Sequence, residues 1–213
     1  MSALLVPSEL VETFARGWAQ SRGLAPPVIA GDAYRIETGK PTELRRFIFP
    51  RPPLGITAIA REITQPFVVL KAAIEPADMA AKLPDGWHVE RTGTTMTCAQ
   101  LAEFDPVLPS AFTVDICWTS EVCLARVLDP EGAEAARGRM TPVDGWALHD
   151  TIEVAPTRRR QGLGTAIMLL LASQARQRGV ARGLLNATDV GRALYQRLGW
   201  AARAPWTTAQ IKP

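Results

Sequence analysis

The sequence is poor in the residues that build disulfide frameworks and metal sites. Its 213 residues include only three cysteines and two histidines. The cysteines, Cys98, Cys117 and Cys123, are odd in number and lack the paired spacing of a zinc site. Cys117 and Cys123 are close enough in sequence to face each other across a hairpin, but reduced thiols in a core are the favoured interpretation. We therefore expect neither a metal site nor a set of disulfides.

Long apolar runs are also missing. No stretch approaches the roughly 20 apolar residues that span a bilayer, and the first residues lack the basic segment and apolar core of a secretory signal. Hydrophobic residues still make up 47% of the chain and charged residues 21%. That balance is typical of a globular protein and excludes a collagen-like or mainly disordered chain. We expect a cytoplasmic protein that does not associate with membranes.

The net charge of +3 hides an uneven distribution. The segment 157–213 contains ten Lys and Arg residues and one acid, Asp189, a net charge of +9. Residues 1–156 carry fourteen basic and twenty acidic side chains, a net charge of −6. A basic C-terminal part joined to an acidic remainder predicts an anionic ligand at one end of the molecule.

Hydrophobic periodicity predicts a mixed α/β first half. A helix is expected from Leu10 to Trp18 and another over Ile56–Ile63, whereas Phe67–Ile74 reads as a buried strand. Pro76 suits the first position of a third helix. Residues 41–55 are rich in proline and receive no assignment. No catalytic motif is visible in this half, and no internal repeat is visible in the chain.

The second half predicts a β-meander followed by helices. Pro106 and Pro109 mark a boundary, so we expect an N-terminal region over 1–108 and a second domain over 109–213. Four short β-like runs separated by turn residues are typical of antiparallel strands. These runs are Phe112–Trp118, Val122–Leu128, Ala135–Met140 and Trp146–Val154. A helix from about Gly162, a short strand at Leu184-Leu185 and a helix ending near Gly199 follow them.

The basic loop over residues 154–165 carries most of the chemical information. A strand is predicted to end at Val154 and a helix to begin near Gly162. The first amides of a helix lack internal partners and point outward at the positive end of the helix dipole, which favours anions. Glycines at 162 and 164 let a phosphate approach the backbone, and the arginines at 158–160 add positive charge. The loop therefore predicts a phosphate site, the alternatives being a solvated surface or a nucleic-acid patch.

Sequence motifs narrow the choice of phosphate ligand. The loop lacks the Gly-Lys-Ser/Thr ending of a P-loop, and Ile167 stands where a dinucleotide fingerprint has its third glycine. It reads Arg-x-x-Gly-x-Gly over residues 159–164, and residues 154–156 before it read Val-x-Pro. Downstream, Leu194-Tyr195 is followed by Leu198-Gly199-Trp200. Taken with the order strand, loop, helix, strand and helix, the two motifs resemble the GNAT superfamily of acetyl-CoA-dependent N-acyltransferases.

This resemblance covers residues 112–212 and implies both a fold and a ligand. The implied fold class is α/β (α+β), with a mixed, mostly antiparallel sheet flanked by helices and a divergent N-terminal α/β region. That region either supplies the equivalent of the two helices that usually follow the family's first strand or forms a separate substrate-side subdomain. Acetyl-CoA would place its pantetheine arm along the main chain near Ile152 and Val154, close to the side chain of Asn186, which could instead cap the next helix. The amides that would hold the pyrophosphate are those of Arg159, Arg160, Gln161, Gly162, Leu163, Gly164 and Thr165.

The resemblance also implies a general acid. Tyr195 matches the tyrosine whose hydroxyl lies near the thioester sulfur, so it would protonate the leaving thiolate. Outside the motif, a packing role would be the simpler interpretation of this aromatic.

The general base follows less directly from the sequence. Strand alternation places Asp150 in an otherwise apolar row with Trp146, Leu148, Ile152 and Val154, where burial would raise the pKa of its carboxyl. Some family members carry a glutamate base on this strand, but the equivalent position here is Leu148. The candidates are Asp150, then Glu153, then His149, and a solvent-facing pair is the favoured interpretation of the last two. A β-bulge would change which face Asp150 occupies.

The resulting hypothesis is an N-acetyltransferase in which a primary amine attacks acetyl-CoA directly within a ternary complex, without a metal or a cysteine nucleophile. The acceptor would be a small-molecule or peptide amine, and the acidic first part suits a cationic one. The alternatives are a catalytically weak acyl-CoA-binding or sensing module and, with less support, a nucleic-acid-binding protein. Homodimers are common in the family, and the sequence leaves the oligomeric state open.

Overall fold

The computed structural model describes residues 6–211, so the first five residues, Lys212 and Pro213 lie outside it. The described residues form five α-helices and eleven strands. The helices are α1 (Ser8–Ser21), α2 (Ile56–Glu62), α3 (Pro76–Ala80), α4 (Leu163–Gln177) and α5 (Asp189–Arg197). The strands are β1 (Val28–Ala30), β2 (Ala33–Lys40), β3 (Glu43–Phe49), β4 (Val68–Ala72), β5 (Trp87–Cys98), β6 (Thr113–Thr119), β7 (Val122–Leu128), β8 (Glu134–Val143), β9 (Trp146–Val154), β10 (Arg182–Ala187) and β11 (Ala201–Ile211).

The chain forms two compact units. Unit 1 comprises the chain up to Met96, Asn186–Val190 and the chain from Ala202 onward, and unit 2 comprises Thr97–Leu185 and Gly191–Ala201. The division into an N-terminal region over 1–108 and a second domain over 109–213 stays a prediction.

Unit 1 contains a mixed sheet in the order β1-β2-β3-β4-β11-β5. The β1–β2 and β2–β3 pairs are antiparallel, β3 and β4 are parallel, and β4 and β11 are antiparallel. One face of this sheet packs a buried core that includes Phe49, Ile56, Leu70 and Met79. The pattern of apolar residues in α1 and α2 is amphipathic, which is why both helices bury one side.

Unit 2 contains the order β10-β9-β8-β7-β6, in which β10 and β9 are parallel and the other pairs are antiparallel. Helix α4 packs on β7, β8 and β9, and its buried residues include Leu163, Ile167 and Leu171. The predicted meander is present, and the run expected at Ala135–Met140 is strand β8. The predicted fold class, α/β with a mixed, mostly antiparallel sheet flanked by helices, is confirmed.

The order of elements repeats along the chain, although no repeat is visible in the sequence. An antiparallel hairpin, β2–β3, leads through α2 to β4, which lies parallel to β3, and then to α3 and β5. Similarly, the β8–β9 hairpin leads through α4 to β10, which lies parallel to β9, and then to α5 and β11. The loop that follows β3 therefore corresponds to the loop that follows β9.

Candidate active site

The basic loop adopts the geometry of an anion site. After β9, a single 3₁₀ turn at Pro156–Arg158 leads to α4, which begins at Leu163. Gly162 has a φ of +80° in the left-handed region, where a side chain would be strained. The first α-helical hydrogen bond is donated by Ala166 N to Gly162 O, so the preceding amides of the first turn have no partner within the helix. Residues 159–162 are exposed, which leaves this end of α4 open to an anion.

The second glycine of the motif has a packing role. A Cβ at Gly164 would lie 3.2 Å from Leu194 Cδ2 and 3.6 Å from Val154 Cγ2. The sequence predicts that this glycine admits a phosphate, whereas the structure shows that the missing Cβ lets α4 pack against Leu194. The amide of Gly164 still belongs to the first turn of α4.

Strand β9 separates from β10 beside this loop. The parallel pairing runs from Trp146–Arg182 to Leu148–Leu184, although β9 continues to Val154. Beyond Leu148, the β10-facing edge of β9 therefore has no partner in β10. An unpaired strand edge presents backbone donors and acceptors to an extended ligand.

A β-bulge interrupts β9 in the same segment. Arg139 pairs with Asp150 and Arg137 with Glu153, so β9 has one residue more than β8 between these pairs. Thr151 has a φ of +54°, and its Oγ1 is buried without a partner among the described residues. The bulge turns a short piece of backbone out of the regular ladder.

The bulge corrects the predicted row of side chains on β9. Asp150 pairs with Arg139, and Leu148 pairs with Thr141, so these two stay on one face. Val154 pairs with Ala136 and shares the face of His149 instead, because the extra residue reverses the alternation. The prediction that one face of β9 carries every second side chain from Trp146 to Val154 is therefore wrong beyond Asp150.

Tyr195 is a buried phenol near Asp150. Its side chain is 7% exposed, and burial, together with the negative charge of Asp150, raises its pKa to about 12. Its ring lies 6.3 Å from that of Trp200, centroid to centroid. The charge of Asp150 thus acts on Tyr195, and the phenol stays protonated at neutral pH.

The sequence predicted a solvent-facing pair for His149 and Glu153, but His149 is buried. It is 3% exposed, and burial lowers its pKa to about 4 against the opposing effect of the Ala147 carbonyl. Nδ1 lies 3.0 Å from Ala147 O, which assigns the proton to Nδ1 and leaves the buried Nε2 without a partner among the described residues. The ring meets Trp200 edge-on at 5.1 Å. Glu153, in contrast, is exposed and pairs with Arg137 at 2.7 Å.

Asn186 lies near the end of β10. Both polar atoms of its side chain are inaccessible to solvent and have no hydrogen-bond partner among residues 6–211. A buried amide without partners is costly, by about 1–3 kcal/mol. Among the described residues this side chain therefore makes no capping hydrogen bond, and its contact with a ligand stays a prediction.

Four of the nine arginines in the segment 157–213 make contacts within unit 2. Arg158 contacts Asp129 at 2.8 Å, and Arg176 donates to the Ala102 carbonyl. Arg178 lies 3.5 Å above the ring centroid of Trp118, and Arg182 lies 4.5 Å above that of Trp146. Arg159 and Arg160 are exposed beside the start of α4.

Residues 6–211 contain no cluster of three or more side chains suited to bind a metal ion. Within the same range, no helix is both long and apolar enough to cross a membrane. Cys117 and Cys123 are free thiols, and because Cys123 pairs with Trp118, Cys117 points to the opposite face of the hairpin.

A family model of acetyltransferases, the GNAT family, matches residues 95–200. The chain belongs to the GNAT acetyltransferase family. No curated protein matches the sequence significantly. The matched segment includes the bulged strand, the basic loop and Tyr195, so the predicted resemblance is confirmed.

Solved GNAT structures match nearly the whole chain. A GCN5-related N-acetyltransferase from Kribbella flavida has a TM-score of 0.70 at 15% identity, covering 99% of this chain and 97% of that one. A GCN5-related N-acetyltransferase from Sphaerobacter thermophilus has a TM-score of 0.60 at 14% identity, covering 97% and 93%. A tandem GNAT protein from the clavulanic acid biosynthesis pathway has a TM-score of 0.57 at 16% identity, covering 97% and 94%. At these identities the likeness shows the fold alone. The matches include the N-terminal part of this chain, because they cover 97% of it or more.

Proposed function

We propose that the protein is an N-acetyltransferase that moves the acetyl group of acetyl-CoA to a primary amine. The observation that carries the proposal is the separation of β9 from β10 beside the open N-terminus of α4. An extended ligand with a pyrophosphate fits that arrangement because one part needs strand-like pairing and the other needs amide donors.

Each binding element has a part in the proposal. The amides from Arg159 to Thr165 hold the pyrophosphate, with Arg159 and Arg160 adding positive charge. The backbone near Ile152 and Val154 pairs with the pantetheine arm, and Asn186 donates or accepts at its amide. Acetyl-CoA supplies the activated acyl group as a thioester.

The chemistry falls to Asp150, Tyr195 and the bulged backbone. The amine nitrogen attacks the acetyl carbonyl carbon, the carbon–sulfur bond breaks, and its electron pair stays on sulfur. Asp150 accepts the proton that the amine loses, and Tyr195 donates a proton to the sulfur. A main-chain amide near Ile152 stabilises the charge on the carbonyl oxygen. The carboxylic acid of Asp150 then returns its proton to the phenolate, which restores both groups.

We infer that the acceptor is a small-molecule or peptide amine. The excess of acidic residues before position 157 favours a cationic acceptor. The free thiols fit a reducing compartment, which supports a cytoplasmic location. Nucleic acid and membrane are not among the proposed partners, and a homodimer is compatible with the family.

A ligand-dependent melting experiment tests the proposal. Acetyl-CoA should raise the Tm well above any shift from ATP or NAD, and a thiol-release assay over a panel of amines should identify acceptors. Absence of a shift with acetyl-CoA would refute the assignment. A shift without thiol release for any amine would favour an acyl-CoA-binding module.

A further inference from the structure

The turn between β7 and β8 contacts the basic loop through Arg158. Arg158 Nη2 lies 2.8 Å from Asp129 Oδ2 and 3.2 Å from Glu131 Oε2. The Asp129 side chain is 8% exposed, whereas that of Glu131 is 71% exposed. The inner contact is therefore shielded from solvent and the outer one is not, so Asp129 is the partner that fixes Arg158.

Asp129 is itself held in place by its turn. Its Oδ1 accepts hydrogen bonds from Ala133 N at 2.9 Å and Glu131 N at 3.2 Å, and its own N donates to Ala133 O at 2.9 Å. Burial tends to raise its pKa, but the Ala133 amide and the Arg158 guanidinium outweigh burial and lower it. The carboxylate is thus ionised, oriented and available to Arg158.

The contact lies directly before the anion site. Arg158 is the last residue of the 3₁₀ turn, and the exposed residues 159–162 follow it. The start of the same segment is fixed by Ala155 N, which donates to Ala135 O at 2.8 Å. Arg158 N also donates to Ala155 O at 2.8 Å. The loop is therefore attached at its backbone to β8 and at its side chain to the β7–β8 turn.

We propose that Asp129 and Arg158 are positioning residues that hold the loop over 159–163 in the conformation that binds the pyrophosphate of acetyl-CoA. This inference rests on the proposed function. It changes the role of Arg158 from a charge that faces phosphate to a side chain that faces away from it, toward the turn. Preorganisation of the loop lowers the entropy that the ligand must remove on binding.

The first test compares two acid-to-amide variants. Asp129→Asn should raise the Kd for acetyl-CoA in calorimetry at least tenfold, and raise its KM similarly, with kcat changed less than twofold. The matched control is Asp115→Asn, which removes an ion pair with Arg126 elsewhere in unit 2 and should leave the Kd within twofold. The Tm of each variant without ligand reports any loss of stability separately.

The second test asks whether Arg158 acts through its charge or its hydrogen-bonding geometry. Arg158→Lys keeps the positive charge but loses the planar donor group. It should weaken acetyl-CoA binding about as much as Asp129→Asn, and the double variant should lose no more than either single variant, because both remove one contact. Hydrogen exchange of the amides over 155–163 should be faster in each variant.

The outcomes separate the two levels of inference. If the wild-type protein does not bind acetyl-CoA, the proposed function fails and the positioning role fails with it. If it binds but Asp129→Asn binds equally well, only the positioning role fails. A normal Kd in Arg158→Lys would show that a positive charge is sufficient at this position, and additive losses in the double variant would show that the two residues act independently. Either result would overturn the inference.

Discussion

Burial of single polar side chains sets the chemistry of unit 2. Tyr195 is protonated at neutral pH because burial and Asp150 both disfavour its anion. His149 is neutral because burial disfavours its cation. Both rings contact Trp200, which is 4% exposed. The burial of His149 could not be predicted from the alternation of β9, because it depends on contacts with residues distant in the sequence, such as Trp200.

Replacement of the phenol separates binding from chemistry. Tyr195→Phe removes the hydroxyl and keeps the buried ring, so the Kd for acetyl-CoA should stay within about threefold. The kcat should fall by about 10²-fold or more if the hydroxyl donates to sulfur. The measurement is steady-state kinetics with the identified amine, and an unchanged kcat would remove Tyr195 from the chemistry.

A second buried group lies in unit 1. Lys71 on β4 is 9% exposed, and its Nζ donates to Thr208 Oγ1 at 2.7 Å. Burial, followed by the charge of Arg46, lowers its pKa to about 7 from an ordinary 10.5, although Glu43 and Glu90 oppose the change. At neutral pH about half of this amine is uncharged in the folded protein.

The Lys71 amine should make stability depend on pH. Below pH 7 both folded and unfolded states carry its proton, and the folded state bears the cost of the buried charge. Between pH 7 and 10.5 the unfolded state binds more protons, so the free energy of unfolding rises with pH. From pH 7 to pH 9 the rise should be about 2 kcal/mol larger than in Lys71→Met. Denaturant melts of the two proteins measure this difference, and parallel pH profiles would contradict it.

At the scale of elements, the loop and the first turn of α4 form one structure. Gly162 ends the loop in the left-handed region, and a Cβ there would meet no atom within 4 Å. Any cost of a side chain at this position is therefore conformational, about 1 kcal/mol. Gly179, just beyond α4, has a φ of +75° and is equally open, which makes it a matched control.

The two glycine variants should have similar stability but different affinity. Gly162→Ala and Gly179→Ala should each lower the free energy of unfolding by about 1 kcal/mol. Only Gly162→Ala places a methyl group where the pyrophosphate approaches, so only it should raise the Kd for acetyl-CoA, at least tenfold. Thermal melts and calorimetry measure both quantities, and equal affinities in the two variants would argue against phosphate binding at this loop.

Sequence patterns predicted the elements that carry strong periodicity. Strands β7 and β9 have the predicted bounds, and α1 and α4 differ from prediction by only a few residues at their ends. Strands β1, β2, β3 and β11 were not predicted. Arg45 and Arg46 within β3 and the Ala, Arg and Thr residues of β11 do not give an apolar alternation, so tertiary pairing rather than local propensity makes these segments strands. The two loop glycines were predicted, whereas the part played by Asp129 depends on a contact across 29 residues.

At the scale of the whole molecule, the repeated order of elements gives the loop after β9 a counterpart of different composition, the loop after β3. The loop between β3 and α2 contains Pro50, Pro52 and Pro53. Proline has no N–H, and α2 has only seven residues. Three of the six residues between β3 and α2 therefore offer no amide donor, and the helix that follows has a shorter dipole than α4.

One acetyl-CoA molecule should bind per chain. Calorimetric titration should give a stoichiometry near one for the wild type, because the loop after β3 has three prolines without N–H groups and leads into a short helix. Variants at Gly162 should lose that binding without revealing a second site. A stoichiometry near two would show that the proline-rich loop after β3 also binds the ligand.

The pairing of β11 with β4 has a consequence for biosynthesis. Lys71 on β4 and Thr208 on β11 are 137 residues apart in the chain. Domains usually fold in the order of their synthesis, N-terminal first. In this protein unit 2 is translated before β11 leaves the ribosome. The sheet of unit 1 therefore receives its last strand at the end of synthesis, although its first strands are made at the start. Until then, the edge of β4 that β11 will cover is open to strands of neighbouring nascent chains, and the speed of translation becomes part of how reliably the molecule is made.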